Sequence, residues 1–151
     1  VSEAAAADLS NINLRIGFIT TDGEHGKARV IPLGRPARAA LEAYIYESRP
    51  VLLNRGEPET RALFLNYNGD RLTRQGIWKI IKLNAKAADI ETEITPKTLR
   101  NSFAVHMIQN GADLMTLKEL MGHEDLTATQ VYLSFSKNRI KDVYDHAHPR
   151  A

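Results

Sequence analysis

The stretch TPKTLRNSFAVHMIQNGADLMTLKELMGH, residues 95–123, constrains the fold most because it carries the start and stop signals of two helices. Thr95 is typical of an N-cap, and the proline after it is tolerated at the first helical position. Gly111 and Gly122 are typical of helix ends, and Asp113 between them is typical of a second N-cap. The pattern therefore predicts two consecutive helices.

Apolar periodicity predicts which faces of these helices are buried. In the first helix, Leu99, Phe103 and Met107 recur at four-residue intervals, so we expect them to face the core. Lys97 and Arg100 are three residues apart and share a neighbouring face. In the second helix we expect four apolar residues to be buried: Leu114, Leu117, Leu120 and Met121.

Upstream, RIGFITT and ARVIPL flank the turn sequence DGEHG and predict an antiparallel hairpin. We further expect a helix from Pro36, a turn at Asn68-Gly69 and a helix capped by Thr73. VSEAAAADL at the start is rich in helix formers. The predicted fold class is mainly α with a small antiparallel β-sheet (α+β), in one domain over residues 1–151.

Composition narrows the protein class. The 151 residues are 43% hydrophobic and include no cysteine, so disulfides and thiolate metal sites are excluded. No apolar run reaches the roughly 18 residues that span a bilayer, and we expect a cytoplasmic protein. Residues 71–109 hold 7 basic and 3 acidic side chains, a net charge of +4. Both a phosphate-facing surface and a solvated helix face fit this charge.

Four side chains could form a phosphate site. Arg100 offers a planar fork for two phosphate oxygens, and Lys97 adds a charge at a helix start, where the dipole favours anions. A pair bridging to surface carboxylates is equally open. His123 follows a helix end, where a cation is favourable for structural reasons alone, and an isolated Tyr132 is typical of a core aromatic. A tyrosine attacks phosphorus only if cations stabilise the transition state.

Taken together, TPKTLRNSFAVHMIQNGADLMTLKELMGHEDLTATQVY resembles the C-terminal signature of tyrosine recombinases, especially the Xer and phage-integrase branch. The resemblance extends through LTRQGIWKIIK and KARVIPL to the terminal HPRA. It implies the family's catalytic-domain fold. It also implies site-specific DNA recombination or integration, by strand cleavage and rejoining through a 3′-phosphotyrosyl intermediate, with no cofactor or metal.

The resemblance assigns roles by position. Arg100 matches the second conserved arginine, His123 the later histidine and Tyr132 the nucleophile. Lys97 stands where the family usually has histidine, and in this it resembles poxvirus-type IB topoisomerases. The family's first arginine precedes a VSE-like stretch, so we expect it to lie before Val1. We likewise expect the DNA-wrapping N-terminal domain to be absent and these 151 residues alone to cleave weakly or not at all.

The catalytic lysine of the family lies in the hairpin turn, where this chain reads GEHGK. The expected position holds Glu24, and a carboxylate does not donate a proton at neutral pH unless its pKa is raised. Our hypothesis is that Lys27 reaches in from the turn, or that the donor is lost. An ordinary exposed Lys27 is equally open.

The resemblance also implies partners. Double-stranded DNA would contact the helix that carries Thr73, Arg74, Gln75 and Lys79, with neighbouring Trp78 as a packing residue. Residues 138–151 fit a tail that docks on another subunit of a homo- or hetero-tetramer, or one that packs on its own domain. Two other functions stay open: topoisomerase IB-like relaxation, and DNA binding without cleavage.

Overall fold

The computed structural model describes residues 1–23, 28–56, 59–123 and 125–136. The chain divides into two compact units, Val1–Pro96 (unit 1) and Lys97–Ala151 (unit 2). Helices make up most of the described residues, and a three-stranded antiparallel sheet accompanies them. The predicted fold class is thereby confirmed.

The sheet of unit 1 contains the predicted hairpin. Strand β2 (Phe18–Thr21) pairs with β3 (Arg29–Pro32) in a register that sets Ile19 opposite Ile31. A two-residue strand β1 (Ile12–Asn13) adds a third strand beside β2. The hairpin prediction is confirmed, and the turn that holds Glu24 and Lys27 lies outside the described residues.

Two arginines attach the first helix, α1 (Ser2–Ala6), to the rest of unit 1. Arg71 Nη1 donates hydrogen bonds to the carbonyls of Ala5, Ala6 and Ala7 at 3.1, 2.9 and 3.0 Å. Its other terminal nitrogen pairs with Asp8. These are the last carbonyls of α1, where the helix dipole favours a cation. Near the start of α1, Glu3 forms a two-pronged ion pair with Arg29 of β3.

The predicted helix from Pro36 exists but contains an unpredicted π-turn. Helix α2 (Arg35–Ala43) continues through the π-turn Tyr44–Ser48 into α3 (Arg49–Leu53). Within it, the N–H of Arg49 bonds to the carbonyl of Tyr44, five residues back. Five residues of regular α-helix would separate two side chains by about 140°. The π-turn instead lets Tyr44 and Arg49 face the same chain segment.

That segment is residues 60–65. Buried Arg49 donates to the carbonyl of Thr60 at 2.9 Å and twice to that of Ala62, at 3.1 and 2.8 Å. The hydroxyl of Tyr44 accepts the N–H of Leu65 at 2.9 Å. Ala62 and Leu63 are fully buried, so an unpaired carbonyl here would be costly. Arg49 therefore satisfies buried backbone that has no regular strand partner.

The turn predicted at Asn68-Gly69 is confirmed. The Asn66 side chain accepts the N–H groups of Asn68 and Asp70 at 2.8 and 3.0 Å, and Gly69 has φ +89°. A Cβ on Gly69 would lie 2.5 Å from the backbone nitrogen of Gly56. Both the positive φ and the close backbone approach therefore require glycine.

Helix α4 (Arg74–Ala87) begins where predicted. The Thr73 hydroxyl accepts the N–H of Gly76 at 3.1 Å, which confirms the N-cap. Trp78 is 37% exposed, and Lys82 Nζ lies 3.8 Å from its ring centroid. The ring of Trp78 therefore forms a cation–π contact within its own helix.

The described part of unit 2 contains α5 (Pro96–Gln109), whose first residue is the last of unit 1, followed by α6 (Leu114–Met121), α7 (Thr127–Gln130) and a 3₁₀ helix, Val131–Ser136. Asp113 accepts the N–H of Thr116 at 2.9 Å, and Gly122 ends α6 with φ +67°. The predicted cap and the predicted stop are both confirmed.

The core of unit 2 is formed by α5, α6 and the 3₁₀ helix. It contains Ala104, Ile108, Leu117, Met121 and Tyr132. Burial is confirmed for Leu117 and Met121, whereas Leu114 and Leu120 are half-buried.

The prediction that Leu99 and Phe103 face the core is wrong: they are 51% and 44% exposed, and only Met107 of that stripe packs against the core. Apolar residues occur on several faces of α5, so periodicity did not identify the buried one.

Among the described residues, no helix has the length and hydropathy needed to cross a bilayer. The segment 138–151, predicted to dock on another subunit, lies outside them.

Candidate active site

Tyr132 combines a buried ring with a hydrogen-bonded hydroxyl. The residue is 8% exposed and belongs to the core of unit 2. Its hydroxyl donates to the side-chain oxygen of Asn101 at 2.9 Å, and Asn101 is exposed on α5. The ring is thus held by packing, while the hydroxyl oxygen lies beside an exposed residue of α5.

Arg100 precedes Asn101 and connects α5 to the end of α6. Its Nη2 donates to the carbonyl of Met121, two residues before His123. A guanidinium carries five N–H donors, so this bond leaves other donors for an anion. The bond therefore holds the arginine at the α6 terminus without using up its capacity for phosphate.

His123 is oriented by a buried threonine. Its Nδ1 lies 2.8 Å from the hydroxyl of Thr129, which is fully buried in α7. The hydrogen bond fixes the imidazole through one of its two nitrogens. Thr129 and Tyr132 are three residues apart, so the same short segment orients the histidine and carries the tyrosine.

Lys97 lies in the first turn of α5, three residues before Arg100, and is exposed. Two cations at a helix start repel the positive end of the dipole, and a bound anion relieves that repulsion. The start of α5 is therefore suited electrostatically to a phosphate group.

Two carboxylates stabilise the loops around these residues. Hydrogen bonds from the backbone and side chain of Thr116 lower the pKa of Asp113. The backbone N–H groups of Ala128 and Thr127 lower the pKa of Asp125, which lies just before α7. Asp113 is the N-cap of α6, whereas Asp125 precedes the N-cap of α7 and accepts the N–H of Ala128 in its first turn at 3.2 Å.

Four of the predicted residues lie in unit 2: Lys97, Arg100, His123 and Tyr132. Three of them form a side-chain hydrogen bond within the unit: Arg100 with Met121, His123 with Thr129 and Tyr132 with Asn101. Lys27 lies outside the described residues. No group of three or more His, Asp or Glu side chains suited to a metal occurs in the described ranges.

The predicted DNA-contacting residues lie in unit 1. Thr73 uses its hydroxyl to cap α4. Arg74 and Gln75 are exposed and line an open depression of about 560 Å³, together with Val1, Thr73, Trp78 and Pro96. Lys79 is exposed one turn further along α4.

Sequence reasoning missed Asn101 and Thr129. Asn101 lies four residues after Lys97 and three before core residue Ala104, so helical spacing places it between the cations and the core. That position was a usable signal. No comparable signal pointed to Thr129, because a loop separates it from its partner His123 and helical spacing does not apply across a loop.

The profile of the Phage integrase family matches residues 1–139. The chain is 48% identical over all 151 residues to tyrosine recombinase XerD of Listeria monocytogenes serotype 4b (strain F2365), and covers 50% of that protein. It thus spans about half the length of the curated relatives it matches.

Solved structures show the same fold. XerA recombinase superposes with a TM-score of 0.81 at 24% identity, over 99% of this chain and 53% of XerA. The XerH site-specific recombinase bound to palindromic difH substrate superposes with a TM-score of 0.75 at 25% identity, over 94% of this chain and 40% of XerH. The chain belongs to the phage integrase family of tyrosine recombinases.

Proposed function

We propose that residues 1–151 form the catalytic domain of a site-specific recombinase that cleaves and rejoins double-stranded DNA. The observation that carries this proposal is the set of three hydrogen bonds, Tyr132–Asn101, Arg100–Met121 and His123–Thr129, which gathers a tyrosine hydroxyl and cationic side chains in one unit. Family membership supports it independently.

The proposed cleavage step begins at the hydroxyl of Tyr132. Tyr132 Oη attacks the phosphorus of a phosphodiester while its proton passes to solvent. The bond from phosphorus to the 5′ oxygen breaks, and a 3′-phosphotyrosyl link forms. The 5′ oxygen takes a proton and leaves as a hydroxyl. Because the link conserves the phosphodiester energy, a 5′ hydroxyl from another strand can reverse the step without ATP.

Three residues would stabilise the charge that builds up on the phosphate. Arg100 has donors beyond the one given to Met121, Lys97 adds a point charge, and His123 supplies a ring already oriented by Thr129. Donors fixed before the reaction are the most effective, because they need no reorganisation as charge develops. Lys27 as proton donor to the 5′ oxygen stays a prediction.

DNA would lie against exposed groups of unit 1 as well. Arg74, Gln75 and Lys79 are exposed on the first turns of α4, where both backbone and groove contacts are within the reach of long side chains. XerH was solved bound to a difH substrate in a post-cleavage complex, which supports DNA as the partner here. Assembly as a tetramer on DNA, with action in the cytoplasm, completes the proposal.

The test is covalent trapping. Protein of full natural length is incubated with a nicked DNA substrate that loses its 5′ hydroxyl fragment after cleavage, and the adduct is measured by denaturing electrophoresis. We expect a Tyr132-linked adduct that Tyr132→Phe abolishes. Tyr46→Phe, which removes a hydroxyl from a tyrosine that is 73% exposed, is the matched control and should retain it.

Three results would contradict the proposal. An adduct that survives Tyr132→Phe would mean that another residue is the nucleophile. Tight DNA binding without any adduct would support a binding protein that does not cleave. Relaxation of supercoiled DNA without strand exchange between two sites would support the topoisomerase-like alternative.

A further inference from the structure

We propose that Asn101 is a positioning residue for the nucleophile: it orients the neutral Tyr132 hydroxyl and then donates a hydrogen bond to the phenolate as attack proceeds. This inference rests on the function proposed above and adds a residue to it. Its basis is the 2.9 Å hydrogen bond from the Tyr132 hydroxyl to Asn101 Oδ1.

The location of Asn101 determines where this hydrogen bond points the Tyr132 hydroxyl. The ring of Tyr132 is packed in the core of unit 2, and its hydroxyl reaches Asn101 on α5. Asn101 follows Arg100 and lies one helical turn after Lys97, so the bond draws the reactive oxygen toward the helix that carries both cations. A reacting oxygen must be held close to the phosphorus, and a small misplacement costs much of the rate.

The chemistry of an amide suits both stages of the reaction. The amide oxygen accepts the phenol proton in a hydrogen bond but does not remove it, so Asn101 is not a base. The same side chain has two N–H donors, and rotation about its terminal bond presents one to the phenolate. A carboxylate of the same shape could only accept. It would stabilise the protonated phenol and repel both the phenolate and the phosphate.

Asn101→Asp therefore tests the inference with almost no change in shape. In the trapping assay at saturating protein, we expect the first-order rate of adduct formation to fall about 10- to 100-fold, the range for a lost hydrogen bond to a charged group. Asn101→Ala should slow the reaction about tenfold. DNA affinity, measured separately by gel shift, should change much less than the rate.

Asn110→Asp is the matched control. Asn110 is exposed just beyond the end of α5 and bonds to the carbonyl of His106 at 2.8 Å, so the same charge is introduced far from Tyr132 along the helix. We expect its rate of adduct formation to stay within about twofold of the natural protein. Thermal unfolding of all three variants checks that unit 2 remains folded.

A second measurement is independent of cleavage. The phenol of Tyr132 is titrated by ultraviolet absorbance in DNA-free protein, with the matching Tyr132→Phe protein subtracted in each background. A carboxylate within hydrogen-bonding distance disfavours the phenolate, so Asn101→Asp should raise the phenol pKa, whereas Asn110→Asp should not. An unchanged titration in Asn101→Asp would mean that the two side chains are not in contact in solution, which the inference requires.

The outcomes separate the two proposals. If the natural protein forms no adduct, the proposed function fails and the inference fails with it. If the natural protein forms the adduct but Asn101→Asp reacts at the same rate, or loses rate only in proportion to DNA affinity, the inference alone is overturned. An unshifted phenol titration in Asn101→Asp would also overturn it.

Discussion

The two units are stabilised by different interactions. In unit 1, three arginines bind backbone or carboxylate groups that are distant in sequence: Arg49 holds residues 60–62, Arg71 holds the end of α1, and Arg29 pairs with Glu3. Among the described residues of unit 1, the buried apolar side chains are two alanines and two leucines, with no aromatic ring: Ala7, Ala62, Leu63 and Leu65. Directional bonds to the backbone therefore carry much of the order in unit 1.

Unit 2 instead has an apolar core to which helices α5 and α6 both contribute. Three of its side-chain hydrogen bonds involve candidate active-site residues, namely Arg100, His123 and Tyr132, and Tyr132 belongs to both the core and the candidate site. In unit 1, the proposed DNA-contacting residues Arg74, Gln75 and Lys79 are distinct from the arginines that stabilise the unit. Thr73 is the exception, because its hydroxyl caps α4. In unit 2, by contrast, one residue serves both purposes, so a mutation there changes stability and activity together.

The largest effect is expected when the ring of Tyr132 is removed. Tyr132→Ala should lower the free energy of unfolding by about 3–5 kcal/mol, as for other buried aromatic residues. Tyr132→Phe keeps the packing and loses one hydrogen bond, for about 1 kcal/mol. Urea unfolding gives both values, and hydrogen exchange shows where protection is lost.

The two Tyr132 variants test whether the ring or the hydroxyl stabilises unit 2. Faster exchange of amides in α5 and α6 after Tyr132→Ala would agree with a core held by the tyrosine ring. Equal stability losses in the alanine and phenylalanine variants would contradict it, because the hydroxyl alone would then account for the effect.

A slightly smaller effect is expected in unit 1 from Arg49→Met, which retains length but no donors. The carbonyls of Thr60 and Ala62 lose their charged partner, which should cost about 3 kcal/mol. Arg38→Met is the control, because the side-chain ion pair of Arg38 within the described ranges is an exposed i,i+4 pair with Glu42 at 3.8 Å, worth about 0.5 kcal/mol. A loss no larger than that of the control in urea unfolding would show that arginine does not hold this segment.

The smallest effect is expected on the pH dependence of stability, when Asp113 is replaced. The pKa of Asp113 is lowered from an ordinary value near 3.8 by bonds from Thr116, so folding favours its ionised form. Its contribution is present above that ordinary value and is lost as pH falls through the lower folded pKa. Asp113→Asn keeps an amide cap that does not titrate. We expect urea unfolding of this variant to depend less on pH below about 4 than that of the natural protein; an unchanged dependence would contradict the cap's role.

Local signals in the sequence predicted local structure well. Thr73, Asp113 and Gly122 mark helix ends where expected, because a cap depends on only a few adjacent residues. The turn at Gly69 was likewise predicted by its own dipeptide.

Predictions that depend on contacts distant in sequence were less successful. Leu99 and Phe103 have the correct spacing for a buried stripe, but Ala104 and Ile108 form a second stripe, and packing selected that one. Asn101 was missed for a related reason: its partner Tyr132 lies 31 residues away. The resemblance to a family predicted the charged residues and the nucleophile, but it did not predict the neighbouring side chains that form hydrogen bonds with them.

The π-turn at Tyr44–Ser48 has a consequence for how this chain can vary in length. Deleting one residue from the turn would restore regular α-helical bonding and rotate everything after it by about 100°. Arg49 would then point away from Ala62, even though every residue it contacts was still present. Unit 1 therefore depends on the number of residues between Tyr44 and Arg49 as strictly as on their identity, and an insertion or deletion there would be harder to tolerate than a substitution.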